Sequence, residues 1–415
     1  MGRLSRVLML LCVMGLCAAG CGSDDEVTAV ADDVAEDADA VEAAGTIRIG
    51  AALSETGRFA GEGKAVRQGY DTWVRWVNEE RGGVKLPDGS YGVEIVYYDD
   101  ESDADTAADL VRRLIDEDDV DFLLGPSSSS LTTGSSAVSE AAGVLMVQGT
   151  ASADSMYQRG FENLFGVATI ASDYTKTGIE SFAAQGAETA VIVHHDSPFA
   201  AAVANGAVEH FEANGIEVLS VETYTGDPTD LASIISEFAR LDPDVFLGGG
   251  LYSDAVNFVD VSERVGFDPD GMLVTVGPSN PKFSEELGDS AEGVVGPTQW
   301  EATMAYEGQW FGSAADYAAL YESWWSEPPV YQAASATAAA LALHVAVERA
   351  GSTDTEAVRS ALGETEMLTF YGPIGFDERG VNALKPMGAV QVQDGAINVV
   401  APRAAAVADL AFPRN

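Results

Sequence analysis

Cysteine is nearly absent from this chain of 415 residues, which contains only Cys12, Cys17 and Cys21. All of them lie in the first 21 residues, so the rest of the chain can form neither a disulfide nor a cysteine metal site. The remainder of the chain must therefore fold through its apolar core, and we expect no metal.

Basic residues are also few. The chain has 22 lysines and arginines against 66 aspartates and glutamates, which gives a formal net charge of −44. This excess of negative charge repels nucleic acids, anionic lipid headgroups and polyphosphates. We therefore exclude nucleic acid as a partner.

Long apolar runs are confined to the N terminus. Arg3 and Arg6 precede the apolar segment VLMLLCVMGLCAA, and no later segment approaches about 18 uninterrupted apolar residues. The segment ends in CAAGC, which resembles the lipobox of bacterial lipoproteins. We therefore predict a signal peptide at residues 1–20 and lipidation of Cys21, with the protein anchored to a membrane outside the cytoplasm.

The segment that follows has almost nothing to bury. Residues 22–45 contain nine acidic residues, no basic residue and no aromatic residue. High charge with so little apolar surface predicts disorder. We interpret residues 21–45 as the acylated cysteine and an acidic tether that holds the domain away from the membrane.

From Thr46 onward, short apolar runs alternate with helical patterns. One series contains TIRIGAAL, GVEIVYYD, VDFLLG and GVLMVQG, with helices predicted over 62–81 and 104–117. A second series contains TAVIVHH, GIEVLSVE, PDVFLGGG, GMLVTVG and EGVVGPTQW, and an alanine-rich helix is predicted near 331–350. This alternation predicts an α/β fold of two doubly wound lobes with parallel sheets.

Four consecutive serines, Ser127 to Ser130, follow the predicted strand VDFLL. They could carry a nucleophile, cradle a phosphate, hold a carboxylate or form a polar loop. Ligands of open α/β sheets bind beyond the carboxyl ends of the strands, where exposed amides and a helix N terminus favour an anionic group. We expect Ser127 to cap the turn or point away from a ligand.

Catalytic and metal chemistry find little support in the sequence. The elbow G-x-S-x-G is absent, and of the adjacent His194 and His195 at most one can face a cleft. The acidic residues 97–110 lack the glycine and final glutamate of a calcium loop, and residues 57–66 match no phosphate-binding motif. We predict no enzymatic activity and no cofactor.

Five segments occur in the order of a known family. LSETGRFAGEGKAVRQGYDTWVRWVNEERGG, VEIVYYDDESD, LLGPSSSS, GVLMVQGTAS and FLGGGLYSDAV together resemble the type I solute-binding proteins of ABC transporters, in the branched-chain amino-acid (Leu/Ile/Val) binding family. The resemblance spans about residues 46–400. It implies a receptor whose two lobes close on an amino acid or a related small carboxylate or amide and deliver it to a permease and ATPase complex.

The resemblance also implies which residues contact the ligand. Ser129 takes the position of the serine that binds the ligand carboxylate. The other expected contacts in both lobes and at one crossing between them are Thr150, Ala151, Ser152, Phe199, Tyr252 and Trp300.

One position departs from the family pattern. Ser279 stands where the family has the acidic partner of the ligand ammonium. Either Glu62, Asp254 or Glu301 takes over this role, or the ligand lacks an α-ammonium group.

The family pattern implies three crossings between the lobes. It assigns residues 46–170 and 302–368 to the first lobe, and residues 171–301 and 369–415 to the second. Two other functions stay open at this point: a sensory receptor domain of the same fold with a signalling partner, and an exported serine hydrolase.

Overall fold

A computed structural model describes residues 44–226, 228–403 and 405–414. The predicted signal peptide, Cys21 and nearly all of the predicted tether lie outside the described residues. The first strand begins at Gly45, which the sequence assigned to the end of the tether.

The first sheet has six strands in the order β2-β3-β1-β4-β5-β6, and only β2 runs antiparallel to its neighbour. Its strands are β1 (Gly45–Leu53), β2 (Val84–Leu86), β3 (Gly89–Asp99), β4 (Phe122–Leu124), β5 (Met146–Gln148) and β6 (Leu164–Gly166). The helices between them are α1 (Ala60–Arg75, continued by a π-helical turn Trp76–Glu80), α2 (Ala104–Asp116), α3 (Ser129–Ala142) and α4 (Asp154–Tyr157). The apolar strands β4 and β5 are buried throughout, as parallel strands covered on both faces should be.

The second sheet has seven strands in the order β15-β14-β11-β10-β9-β7-β8. Its strands are β7 (Thr189–His195), β8 (Glu217–Tyr224), β9 (Val245–Gly249), β10 (Gly271–Val274), β11 (Val295–Thr298), β14 (Gly388–Gln393) and β15 (Ala396–Ala401). Strands β14 and β15 are antiparallel additions to a parallel sheet. The helices of this half are α5 (Lys176–Gln185), α6 (Pro198–Ala213), α7 (Pro228–Leu241), α8 (Tyr252–Val265) and α9 (Pro281–Leu287). The predicted fold class, two doubly wound α/β lobes, is confirmed.

Between β11 and β14 the chain returns to the first lobe. This part contains α10 (Ala314–Trp325), α11 (Tyr331–Ala350), α12 (Thr355–Gly363) and the hairpin of β12 (Glu366–Thr369) with β13 (Gly372–Gly375). Helix α11 is buried from Tyr331 to Val347 and packs closely on α1. Gly69 of α1 allows this close approach, since a Cβ there would lie 2.3 Å from the carbonyl oxygen of Ala333. Phe370 and Ile374, which the sequence assigned to the second lobe, lie in the core of the first.

The three crossings between the lobes are tied together by buried polar groups. The backbone amide of Thr169 donates to Gln299 Oε1 (3.1 Å), and Thr169 Oγ1 donates to the carbonyl oxygen of Lys385 (2.9 Å). The ammonium of Lys385 donates to the carbonyl oxygen of Tyr371 (2.8 Å) and lies over the rings of Tyr306 and Tyr371. One residue from each crossing thus contributes to a single network.

Within the part of the chain that the structure describes, none of the helices has both the length and the apolar character needed to cross a membrane.

Candidate functional site

A cavity of about 230 Å³ lies between the two lobes, at the carboxyl ends of their parallel strands. A single buried water needs roughly 10–15 Å³ measured in this way, so the space suits a small organic solute. The first lobe contributes loops that follow β1, β3, β4 and β5, and the second lobe contributes loops that follow β7, β9 and β10. The polar lining residues are Arg58, Glu62, Ser102, Ser127, Ser128, Ser129, Ser130, Thr150, His195, Asp196, Ser197, Asp254 and Gln332.

The serine loop, Ser127 to Ser130, connects β4 to α3. Ser128 is the N-cap of α3, and its hydroxyl accepts from the backbone amide of Leu131 (3.4 Å). Ser127 lines the cavity, and its buried Oγ has no hydrogen-bond partner among the described residues. The prediction that Ser127 caps the turn is therefore wrong, and that it points away from a ligand stays a prediction. Ser128 caps because its extended backbone places its hydroxyl over the first turn.

Ser129 also lines the cavity, and its hydroxyl is held by the loop after β5. Ser129 Oγ accepts from the backbone amides of Ser152 (3.2 Å) and Ala153 (3.1 Å). A hydroxyl that accepts from two amides keeps its own proton to donate. The two backbone amides thus orient the Ser129 side chain, and its hydroxyl proton remains free to donate a hydrogen bond.

Gln148, the last residue of β5, joins the two loops that form this wall. Its Nε2 donates to the carbonyl oxygen of Pro126 (2.8 Å) and to Thr132 Oγ1 (2.7 Å), and its Oε1 accepts from the amide of Thr150 (2.8 Å). Thr150 Oγ1 in turn donates to the carbonyl oxygen of Ser127 (3.1 Å). The sequence reasoning missed Gln148, although a glutamine ending an apolar strand signals a polar partner nearby.

Two acidic residues from opposite lobes line the cavity, and their carboxyl groups have different surroundings. Burial raises the pKa of Glu62, although hydrogen bonding to the backbone of Tyr252 and the nearby charge of Arg58 act the other way. Asp254 is buried, and its oxygens accept from Tyr224 Oη (2.6 Å) and from the backbone amide of Leu251 (2.9 Å). Asp254 is thus hydrogen-bonded within its own lobe, whereas the Glu62 carboxyl interacts with backbone groups in the described part of the chain.

Aromatic and apolar side chains close the remaining walls. Phe199 packs edge-on against Tyr174 (5.2 Å between centroids), and Tyr174 Oη donates to Tyr331 Oη (3.0 Å). Leu251 of the second lobe packs on a small buried cluster of the first lobe that contains Phe59 and Leu131. The lobes therefore touch on both sides of the cavity.

Five of the residues predicted from the sequence line the cavity: Ser129, Thr150, Phe199, Glu62 and Asp254. Of the two adjacent histidines only His195 lines it, as the alternation along a strand predicts. The residues that sequence reasoning did not single out include Arg58, Tyr174, Asp196 and Gln332.

Three other predicted contacts support the lining from behind. Ala151 is buried, and its carbonyl oxygen accepts from Tyr157 Oη (3.0 Å). Ser152 contributes its backbone amide to Ser129, as described above. Tyr252 follows the lining residue Leu251 and directs its hydroxyl to Glu286 Oε2 (2.9 Å).

Three further predicted residues lie apart from the lining. Trp300 is in the core of the first lobe, where its Nε1 donates to the carbonyl oxygen of Phe370 (3.0 Å). Ser279 is buried in the second lobe. The carboxyl of Glu301 accepts from Thr298 Oγ1 (3.0 Å), and burial raises its pKa to about 8.

Known proteins resemble this chain over most of its length. A family model described as periplasmic binding protein matches residues 46–396. The Leu/Ile/Val-binding protein homolog 7 of Brucella abortus is 24% identical over 398 residues, which cover 91% of this chain and 96% of the relative. The leucine-, isoleucine-, valine-, threonine-, and alanine-binding protein of Pseudomonas aeruginosa is 27% identical over 344 residues, which cover 81% of this chain and 87% of that relative.

A solved structure has the same fold. The leucine binding protein LivK of Thermotoga maritima superposes with a TM-score of 0.76 at 23% identity, covering 86% of this chain and 98% of that one. The resemblance found in the five sequence segments is thereby confirmed. The two lobes, the cavity between them and the match over residues 46–396 show that the chain belongs to the periplasmic binding protein family.

Proposed function

We propose that this solute-binding receptor is the lipid-anchored substrate-binding component of an ABC importer, and that its ligand is an α-amino acid held between the lobes. The observation that carries the proposal is the serine loop: two lining serines whose donors are not used by the described protein, at the carboxyl ends of parallel strands.

The serine loop supports binding of the ligand carboxylate. Ser127 and Ser129 offer hydroxyl protons, and the first turn of α3 offers backbone amides at the positive end of the helix dipole. Both hydroxyls are largely buried, so a carboxylate bound there exchanges water for directed donors. Hydrogen bonds to a charged group of this kind contribute about 1.5–3 kcal/mol each.

Glu62 supports binding of the ligand ammonium. It lies at the start of α1, in the cavity and near Tyr331, and burial raises its pKa and so disfavours its charged form. Since Ser279 is not in the lining and the oxygens of Asp254 are engaged, Glu62 is the acid that takes the place of the family's acidic partner. An ammonium beside it would pair with the carboxylate and favour its charged form.

Contacts between the lobes support closure around the ligand. Leu251 packs on Phe59 and Leu131 across the cleft, and the backbone of Tyr252 comes close enough to Glu62 to act on its pKa. A ligand that touches both lobes stabilises the closed arrangement through contacts that the open one lacks. The closed form would then be recognised by a permease.

The relatives agree with an amino-acid ligand, because both are named for binding amino acids. No serine hydroxyl among the described residues is hydrogen-bonded to a histidine ring nitrogen, which gives the hydrolase alternative no support. The anchor rests on the predicted lipidation of Cys21.

Isothermal titration of the full-length protein with the twenty amino acids tests the proposal. We expect at least one amino acid to bind, while its decarboxylated amine and its deaminated acid bind at least about tenfold more weakly, since each lacks one charge-assisted contact. Binding of the deaminated acid as tight as that of the amino acid would contradict the role of Glu62. Failure of all twenty to bind would contradict the proposed ligand class.

A further inference from the structure

Gln332 is a buried amide in the cavity wall. It is the second residue of α11, and its side chain is 6% exposed. Its Oε1 is enclosed and has no hydrogen-bond partner among residues 44–226, 228–403 and 405–414. The remainder of the buried α11 is dominated by alanine, leucine and valine, so packing alone does not explain an amide at this position.

Other buried glutamines of the protein behave differently. Both amide atoms of Gln148 are hydrogen-bonded, as are both amide atoms of Gln299. Gln391 likewise donates to the carbonyl oxygen of Gly293 and accepts from the amide of Ala411. A buried amide oxygen without a hydrogen-bond partner lowers the equilibrium constant for folding about 5- to 150-fold. Among the described residues, Gln332 is therefore the buried glutamine whose oxygen has no hydrogen-bond partner in the protein.

The surroundings of Gln332 place it on the ligand side of the first lobe. The neighbouring Tyr331 lines the cavity beside Tyr174. One turn further along α11, Ser335 Oγ donates to the carbonyl oxygen of Gly149 (2.6 Å), which fixes the start of the helix against the loop of Thr150. The serine loop and Gln332 thus share one wall.

We propose that Gln332 selects ligands whose side chain carries a hydrogen-bonding group, and that a primary amide fits best. This inference rests on the proposed function, in which the serine loop and Glu62 already hold the α-carboxylate and α-ammonium. An amide offers an acceptor and two donors in one plane, so a ligand amide can pair with it through two hydrogen bonds. An aliphatic side chain would leave Gln332 unpaired.

Calorimetric titration with pairs of similar shape tests the inference: asparagine against leucine, and glutamine against methionine. We expect the full-length protein to bind at least one amide about tenfold or more tightly than its apolar counterpart. In Gln332→Leu that ratio should fall about tenfold or reverse. Gln185→Leu, at the exposed end of α5, should leave the ratio unchanged.

Two results would overturn the inference while the proposed function stands. One is leucine or methionine binding to the wild-type protein as tightly as the matching amide. The other is an amide-to-apolar ratio that Gln332→Leu does not alter, measured on a variant whose circular dichroism and melting temperature show that it is folded. Absence of binding by every amino acid would instead contradict the proposed function itself, and this inference with it.

Discussion

Ser127 and Ser129 are close in sequence and line the same cavity, yet their hydroxyls have different surroundings. Ser129 Oγ accepts from two backbone amides, whereas Ser127 Oγ has no partner in the described chain. In our proposal Ser129 therefore has both a structural and a ligand-binding role, whereas Ser127 has a ligand-binding role only. Alanine substitution separates the two.

We expect Ser129→Ala and Ser127→Ala each to weaken amino-acid binding about 10- to 150-fold, because each removes one hydrogen bond to a carboxylate. Only Ser129→Ala should also lower the melting temperature, since it leaves the amides of Ser152 and Ala153 without an acceptor. Titration calorimetry and thermal unfolding check both effects. Ser323→Ala, on the exposed face of α10, serves as control. Full affinity in Ser127→Ala would show that its hydroxyl does not face the ligand.

We expect Glu62 to lower the stability of the ligand-free protein and to strengthen amino-acid binding. Because burial raises its pKa, the folded protein holds the Glu62 proton more tightly than the unfolded chain does, and Glu62 destabilises the fold as pH rises above the ordinary carboxyl pKa. We therefore expect Glu62→Gln to raise the melting temperature of the ligand-free protein at pH 7 and to weaken amino-acid binding about tenfold or more. Glu356→Gln, an exposed acid in the first turn of α12, should change neither property. A variant less stable than the wild type would contradict this account of Glu62.

At the scale of elements, the crossings form a buried unit rather than three separate linkers. Thr169, Gln299 and Lys385 come from different crossings and are hydrogen-bonded to one another or to Tyr371. Burial lowers the pKa of Lys385 to about 7, and the groups facing its ammonium are the carbonyl of Tyr371 and the rings of Tyr306 and Tyr371.

From the lowered pKa of Lys385 we predict that the free energy of unfolding depends on pH. Between pH 7 and the ordinary lysine pKa near 10.5, the unfolded chain holds the proton that the folded protein has released, so the free energy of unfolding rises with pH. Relative to Lys385→Met, the wild type should therefore gain stability as the pH is raised from 7 to 10. Urea unfolding of both proteins across this range measures the difference. If the free energies of unfolding of the wild type and Lys385→Met changed in parallel with pH, Lys385 would not titrate in the folded protein as described.

Local patterns were enough to predict many of the elements. Helices expected over 104–117 and 331–350 are observed at Ala104–Asp116 and Tyr331–Ala350, because helix periodicity and capping residues are read within one segment. The serine loop was found for the same reason, since it directly follows an apolar strand. Neither Gln332 nor Lys385 could be found in this way. Their surroundings come from segments far apart in the chain, such as Thr169 and Lys385, which are 216 residues apart.

The predicted ligand contacts show the same limit. Trp300 has the size and position of a cleft wall in the sequence, but it lies in the core of the first lobe against Tyr317. The sequence around a tryptophan at the end of a strand does not indicate whether its side chain will face the cavity or the core of one lobe. Our proposal of Glu62 rather than Asp254 or Glu301 also rests on hydrogen-bond partners, which only the fold supplies.

At the scale of the whole molecule, the two lobes enclose the cavity of about 230 Å³, and in our proposal the N-terminal segment ties them to a membrane. Changing Cys21 to Ser should release the protein from the membrane fraction or block its processing, because acylation needs the thiol. Cell fractionation followed by immunoblotting measures this. Alanine substitution of Cys17, inside the predicted signal peptide, is the matched control and should leave the protein on the membrane. Normal processing and membrane association of Cys21→Ser would exclude the anchor.

The central claim is that the cavity between the lobes holds an amino acid with its carboxylate on the serine loop and its ammonium at Glu62. A crystal structure of the complex with the tightest-binding amino acid tests it most directly. We predict carboxylate oxygens within about 2.5–3.2 Å of Ser127 Oγ and Ser129 Oγ, and the ammonium within about 3 Å of the Glu62 carboxylate. A ligand bound outside this cavity, or bound in it with the carboxylate turned away from both serines, would contradict the account.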